Sequence, residues 1–503
     1  MIFSVRPRDV RHLTNFHQNA IWIRTAFRSF CQSHLLQEAK IEIDKITRII
    51  NDHPFPDTPL YPTLLCHIPS HTLSSAFVEN VLGSLFVAHT NGLKAYEFYK
   101  FSLQFSHVHP TSDAFEKTLH ILTRMRYFDK AWELMEEIAK RNPSLLTLKA
   151  MSIMLSRIAK FQTYEATLKA FEKMEKHIFV GRKFGTNEFN VLLRAFCTQR
   201  QMKEAKSIFK KMHARFPPNS RTMNILLLGF KETSNLSAVE LFYHEMVRRR
   251  FKPNAVTYNI RIDAYCKKGS FGDGLRLFQE MERVNCLPTL ETITTLIHGA
   301  GLARNTTRAW QLFNEISARN LCPDIAAYNA LISSLVKCGE VQSAILLMDE
   351  MEDEHIGHDG MTYHTLFYGL MRSGGIEGVC DLYDRMTNKH FVPKTQTVVM
   401  LMKFFCQSCR LDLGLNLWEY VVGRGFCPHD HALALLVTGL CSHGRTEEAF
   451  ECSKQMLSRG RNVSSAVFQM LERFLLQAGE EEKLRVLDDM TKRLQRVNPP
   501  SPH

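Results

Sequence analysis

The chain has 503 residues, 45% of them apolar, 13 cysteines and a formal net charge of +12. A single hydrophobic core stops growing beyond roughly 250–300 residues, so one globular unit is excluded and an array or several domains is expected. The positive balance suits a polyanionic partner, and the odd, scattered cysteines suit free thiols in a reducing compartment. The longest apolar run, 432–437, is far too short to cross a bilayer, so no membrane span is expected.

Residues 1–36 set Arg6, Arg8, Arg11, Arg24 and Arg28 against a single acid, Asp9. Ile21, Ile23, Phe27 and Phe30 fall on one face of a short helix, and no unbroken apolar h-region is present. This Arg-rich, acid-poor, amphipathic composition reads as an organelle transit peptide, mitochondrial rather than secretory. The alternative is a basic tail that touches nucleic acid. From 37 to 75 the chain reads as a lead-in: Ile41, Ile43, Ile46, Ile49 and Ile50 have helical spacing. Pro54, Pro56, Pro59, Pro62 and Pro69 then make a connector.

A 35-residue period takes over downstream. Pro253, Pro288, Pro323, Pro393 and Pro428 keep one register, with His358 on the skipped beat. Met246, Met281, Met351, Met386 and Met456 keep another, with Ile316 between them. Self-similarity at such a period marks a stacked repeat array. In the unit 325–359, Tyr328, Leu331, Ile332 and Leu335 form one amphipathic stripe, stopped by Gly339. Val341, Ala344, Ile345, Met348 and Met351 form a second, which Gly357 is expected to end. Each unit is a hairpin of two helices too short to be stable unless stacked. The predicted fold is all-α, a right-handed superhelical solenoid of about 11–12 such units. Irregular units fall at 76–111, 112–147 and 148–185, the last with an insertion near 180–184. Regular units follow at 186–219, 220–254, 255–289, 290–324 and 325–359. Divergent ones occupy 360–394, 395–429, 430–464 and 465–499, before a tail at 500–503.

Val256-Thr257-Tyr258-Asn259, Ala327-Tyr328-Asn329 and Met361-Thr362-Tyr363 each follow a Pro-Asn, Pro-Asp or His-Asp step. Downstream come Cys-Lys-Lys-Gly at 266–269, Lys-Cys-Gly at 337–339 and Leu-Phe-Gln-Glu-Met at 277–281. The Trp, Leu-Gly and Tyr pattern of tetratricopeptide repeats is absent. The chain closely resembles the pentatricopeptide repeat family, in its P class of plain 35-residue units, over 76–490 and most specifically over 186–394. The resemblance implies single-stranded organellar RNA as the partner, one repeat per nucleotide, with other RNA-processing proteins alongside and no small-molecule substrate. It further implies that the fifth and last residues of each unit read the base. Those pairs are Asn190 with Asn219, Asn224 with Asn254, Asn259 with Thr289, Thr294 with Asp324, and Asn329 with Asp359. An amide both donates and accepts, which suits a pyrimidine edge. The resemblance associates Thr at the fifth place with purines and Asp at the last with U or G. The implied core is 5′-YYYGU-3′, with Thr289 atypical at its place.

Asn254, Asp324 and Asp359 also stand where helix N-caps stand, so capping competes with base reading at each. The fifth residues are different, because nothing in helix propensity makes Asn or Thr recur there. Second-place Val256 and Ala326 can pack on base faces, and Arg221 and Glu291 break that pattern. Beyond the central units the fifth places hold His364, Val399, Ala434 and Gln469, with Lys394, His429 and Ser464 last. Upstream they hold Asn80, Glu116 and Ser152, and these flanks read as structural, backbone-contacting or protein-binding.

Cys406 and Cys409 form a Cys-x-x-Cys without the second pair a structural zinc needs. Cys406 shares its place in the unit with Cys197, Cys266 and Cys441, which reads as packing. No His-x-Glu of a zinc deaminase, phosphate loop or nucleophile elbow occurs. No metal or cofactor is expected. The expected function is sequence-specific RNA binding in organellar RNA metabolism: transcript stabilisation, end processing, intron splicing or translation. The expected location is the mitochondrion, with the plastid as the alternative. A protein-binding helical scaffold is the competing function.

Overall fold

A short amphipathic helix hides its apolar stripe only against a neighbour, and that requirement sets the architecture. The computed structural model describes residues 41–55 and 58–497; the segments expected at 1–36 and 500–503 lie outside them. Among the described residues there is no strand, and twelve helical hairpins run from Ser75 to Val497. Hairpins one to three open with Ser75–Val87, Ser112–Arg124 and Leu148–Phe161. Hairpins four to six pair Thr186–Thr198 with Met202–Met212, Ser220–Glu232 with Leu236–Arg248, and Ala255–Lys267 with Phe271–Arg283. Hairpins seven and eight pair Leu290–Leu302 with Thr306–Ala318, and Ile325–Cys338 with Val341–Asp353. The remaining four open with Gly360–Ser373, Thr395–Gln407, Asp430–Ser442 and Ser465–Gln477.

The stripe of Tyr328, Leu331, Ile332 and Leu335 is buried with Ala344, Met348 and Met351, as the spacing requires. First helices pack directly on one another from hairpin to hairpin, while contacts between consecutive second helices are sparse except in the last two hairpins. Tighter spacing on the first-helix side curves the array and puts the first helices on its inner wall. Small residues permit that approach. A Cβ added at Gly299 would stand 2.3 Å from Cys266 Sγ, and one at Gly229 would stand 2.8 Å from Cys197 Sγ. These cysteines pack, and burial pushes the Cys266 thiol up to about 12.

Gly339 does end its helix, at φ 89°. Gly357 does not, which corrects the expectation for that hairpin. The second helix stops at Asp353, and His355 takes the left-handed conformation (φ 58°). The Ile356 amide then bonds Met351 O at 2.8 Å, a Schellman-type closure that satisfies an orphan carbonyl. The proline connector also differs, since Leu60–His67 is helical. Pro59 is its N-cap and Pro62 lies in the first turn, where a missing N–H costs nothing. In hairpin three the second helix runs into a π-turn at Met174–Ile178.

The curvature brings the two ends of the array together. Asn51 Nδ2 donates to Gly425 O (2.7 Å), Asn91 Nδ2 to Gly460 O (2.8 Å), and the Cys427 amide to Ala88 O (3.0 Å). Arg459 reaches Asp52 at 2.5 Å and Phe426 O at 3.0 Å. Gly425 and Gly460 occupy the left-handed turn place held by Arg250, Asn285, Asn320, His355 and His390 in earlier hairpins. Glycine stands only where the amino-terminal segment presses in: a Cβ at Gly460 would lie 3.0 Å from Phe55 and 3.1 Å from Asn91 Nδ2.

Candidate nucleic-acid interface

The last residue of each central unit caps the next first helix. Asn219, Asn254, Thr289, Asp324 and Asp359 accept from the amides of Thr222, Thr257, Thr292, Ala327 and Thr362, and Asp359 also from Met361. Capping by these side chains is therefore real, and it does not exhaust them. A cap uses one oxygen, leaving the Asn amide nitrogen or the second carboxylate oxygen free to face out. Asn219, Asn254, Thr289 and Asp324 are exposed, and Asp359 is half-buried.

The fifth residues lie one step deeper. Asn190, Asn224 and Asn259 are only 3, 7 and 6% exposed, and Thr294 and Asn329 are half-buried. Three of the five pairs are in contact across the seam between hairpins. Asn190 Nδ2 lies 3.5 Å from Asn219 Oδ1, Asn224 Nδ2 donates to Asn254 Oδ1 at 3.2 Å, and Asn329 Nδ2 donates to Asp359 Oδ1 at 3.0 Å. Asn259 and Thr294 have no hydrogen-bond partner in the fold, so their pairs with Thr289 and Asp324 are not joined. A threonine is too short to meet Asn259, and Asp324 turns its oxygen to the Ala327 amide. Burial works to raise the Asp359 carboxyl, but the Thr362 amide, Asn329 Nδ2 and the Met361 amide outweigh it and hold it below its ordinary value.

The second residues complete the rim. Asn187, Arg221, Val256, Glu291, Ala326 and Met361 are all exposed, so Val256 and Met361 offer apolar surface beside the amides.

Eight residues beyond the fifth place, on the same helical face, lies a basic column that the sequence reading did not single out. It holds Arg124, Lys160, Lys267, Lys337 and Arg372 and is interrupted by Thr198, Glu232 and Leu302 in hairpins four, five and seven; the spacing of the basic residues was the available signal. Neighbouring first helices tie it together. Lys231 and Lys267 both meet Asp263, at 2.7 and 2.9 Å; burial raises that carboxyl, and the two ammonium groups more than offset it. Lys337 Nζ stands 3.0 Å from His298 Nε2. Burial, then the Lys337 charge, holds His298 below its ordinary value. Among the described residues no cluster of His, Cys, Asp or Glu could hold a metal, and no helix is long and apolar enough to cross a membrane.

The arrangement is a helical-repeat solenoid with a repeated polar seam on its first-helix wall. Models of the PPR repeat family match residues 188–232, 218–267, 253–302 and 323–372, and a PPR repeat model matches 361–391 and 435–461. The chain is a pentatricopeptide repeat protein. It is 64% identical over 210 residues to pentatricopeptide repeat-containing protein At3g61360 of Arabidopsis thaliana, covering 42% of each chain. It is 34% identical over 139 residues to the Arabidopsis protein At3g22670, mitochondrial, covering 27% of this chain and 24% of that one. The chain thus spans less than half the length of these curated relatives. Among solved structures it is similar to maize PPR10 in complex with an 18-nt psaJ RNA element. The identity is 18%, the TM-score 0.42, and the match covers 84% of this chain and 61% of that one.

Proposed function

We propose that this protein, as a P-class member, binds single-stranded RNA along its inner wall without carrying out a catalytic step. Hairpins four to eight read five consecutive nucleotides. The reading residues are Asn190, Asn219, Asn224, Asn254, Asn259, Thr289, Thr294, Asp324, Asn329 and Asp359, for a core 5′-YYYGU-3′. The observation that carries this reading is the seam itself. A polar side chain recurs at the fifth place of five successive first helices, beside the cap of the next, and in hairpins six and eight Lys267 and Lys337 stand on the same wall. Sequence-specific RNA readers hydrogen-bond unstacked bases one per helical repeat, and lysines on the same wall supply phosphate contacts.

The site of action is organellar, the mitochondrion before the plastid, supported by the name of the relative At3g22670 and by the composition of 1–36. Occupancy of one or few transcripts there would stabilise an end, direct processing or splicing, or open a translation start, with RNA-processing proteins as further partners. Selection from a randomised RNA pool tests the reading. Enrichment of Y-Y-Y-G-U supports it, and a purine-rich, GU-free consensus overturns it.

A further inference from the structure

Hairpins five and eight share a closed ring of hydrogen bonds that the other central hairpins lack. In the first ring, the Asn254 amide donates to Thr257 Oγ1 (3.1 Å), and Thr257 Oγ1 donates to Asn224 Oδ1 (2.8 Å), the nearer of two acceptors, with Asn254 Oδ1 at 3.2 Å. Asn224 Nδ2 then donates to Asn254 Oδ1 (3.2 Å), which also accepts the Thr257 amide (3.1 Å). The second ring repeats this with Asp359, Thr362 and Asn329, at 3.2, 2.8 and 3.0 Å, closed by the Thr362 amide at 3.0 Å. In both, the threonine is the third residue of the following first helix and is fully buried.

The ring settles the orientation of the fifth-place amide. Its oxygen faces the threonine hydroxyl and its nitrogen faces the cap, so one N–H and one lone pair in fixed positions remain for a ligand. Hairpin six has no such device. Thr292 Oγ1 accepts the Thr289 amide (3.0 Å) and lies 3.2 Å from Thr289 Oγ1, but it makes no bond to Asn259, neither of whose amide atoms is bonded. Nothing there prevents Asn259 from turning its amide over to suit a donor or an acceptor. The first helix that follows hairpin seven has Ala327 at its third place, with no hydroxyl to offer, and in hairpin four Asn190 Oδ1 is likewise unbonded.

Resting on the base-reading assignment above, we propose that Thr257 and Thr362 are specificity-determining positioning residues. By locking the amides of Asn224 and Asn329 they make hairpins five and eight discriminating readers, while hairpin six tolerates exchange at its nucleotide.

The test titrates the full chain, by fluorescence anisotropy, against a synthetic single-stranded RNA with CCCGU at its centre. Variants of that RNA replace one core nucleotide at a time with each of the other three bases. With the natural chain, substitution at the second and fifth nucleotides weakens binding more than substitution at the third. Thr257→Val lowers selectivity at the second nucleotide alone by about three- to tenfold, the range of one neutral hydrogen bond, and Thr257→Ser restores it. Thr362→Val does the same at the fifth nucleotide and stands as the second variant should Thr257→Val fail to fold. Thr292→Val leaves selectivity at the third nucleotide unchanged. Undiminished selectivity at the second and fifth nucleotides in folded, RNA-binding Thr257→Val and Thr362→Val overturns the inference alone, as does an equal loss at all five. Failure of the natural chain to bind any of these RNAs overturns the base-reading assignment and the inference with it.

Discussion

The seam predicts an energetic coupling between Asn224 and Asn254 that Asn259 and Thr289 do not have. Asn254→Ala removes a cap, about 1 kcal/mol, and also strips Asn224 Nδ2 of its partner in a site only 7% exposed. Asn224→Ala removes the same bond from the other side. Their shared term is one neutral hydrogen bond at 3.2 Å, so a double-mutant cycle yields a coupling of about 1 kcal/mol. Thr289→Ala removes a cap of similar worth, but it takes nothing from Asn259, which does not touch it. That cycle closes to within about 0.5 kcal/mol of zero. A stacked array opens piecewise, so a global melt blurs both terms. Native-state hydrogen exchange resolves them, read on the amides of Ala255–Lys267 for the first pair and Leu290–Leu302 for the second. Equal couplings in the two cycles refute the seam as described, because the Asn224–Asn254 contact has no counterpart between Asn259 and Thr289.

Three further outcomes follow from close approach, end contact and charge. Gly299→Ala forces a Cβ to 2.3 Å from Cys266 Sγ, an overpacking cost of about 1–3 kcal/mol that Cys266→Ala relieves in part, measured as the melting shift. Gly460→Ala and Gly479→Ala carry the same left-handed backbone penalty, at φ 75° and 74°. Gly479 has nothing within 4 Å while Gly460 faces Phe55 and Asn91, so only Gly460→Ala speeds exchange in 41–55; equal exchange in the two variants contradicts the end contact. Asp359 is held below its ordinary carboxyl value. Its stabilisation is in place above the unfolded pKa of about 4 and fades as pH falls through the lower folded value. Protection of Gly360–Ser373 should therefore decline more steeply on acidification in the natural chain than in Asp359→Asn, and parallel declines exclude this role.

The period of Pro253, Pro288 and Pro323 made the hairpins legible, because a repeated fold repeats its turn and stripe chemistry at one spacing. It located Asn224 and Asn254 on one seam for the same reason. It could not say that Asn259 is unpartnered, since that depends on the reach of one side chain across two hairpins. Thr257 looked like an ordinary helix residue, although it recurs as Thr222, Thr292, Thr362 and Thr397. Gly357 is not the stop its residue type suggests, because His355 takes the left-handed turn at a modest cost that the Ile356 closure offsets. The meeting of Asn51 with Gly425 lay furthest from view. It sums small rotations over many hairpins, and its one trace is glycine at 425 and 460 where earlier units carry Arg, Asn or His.

The most direct test of RNA reading is the affinity of the full chain for the CCCGU RNA as salt rises from about 50 to 200 mM. Lysines and arginines on the inner wall predict a steep fall, with a log–log slope of about −0.7 per phosphate neutralised on a single strand. Asn224→Ala, Asn259→Ala and Asn329→Ala together should remove the preference for that sequence while leaving the slope in place. Binding indifferent both to salt and to the three substitutions would contradict the account and favour a protein-binding scaffold.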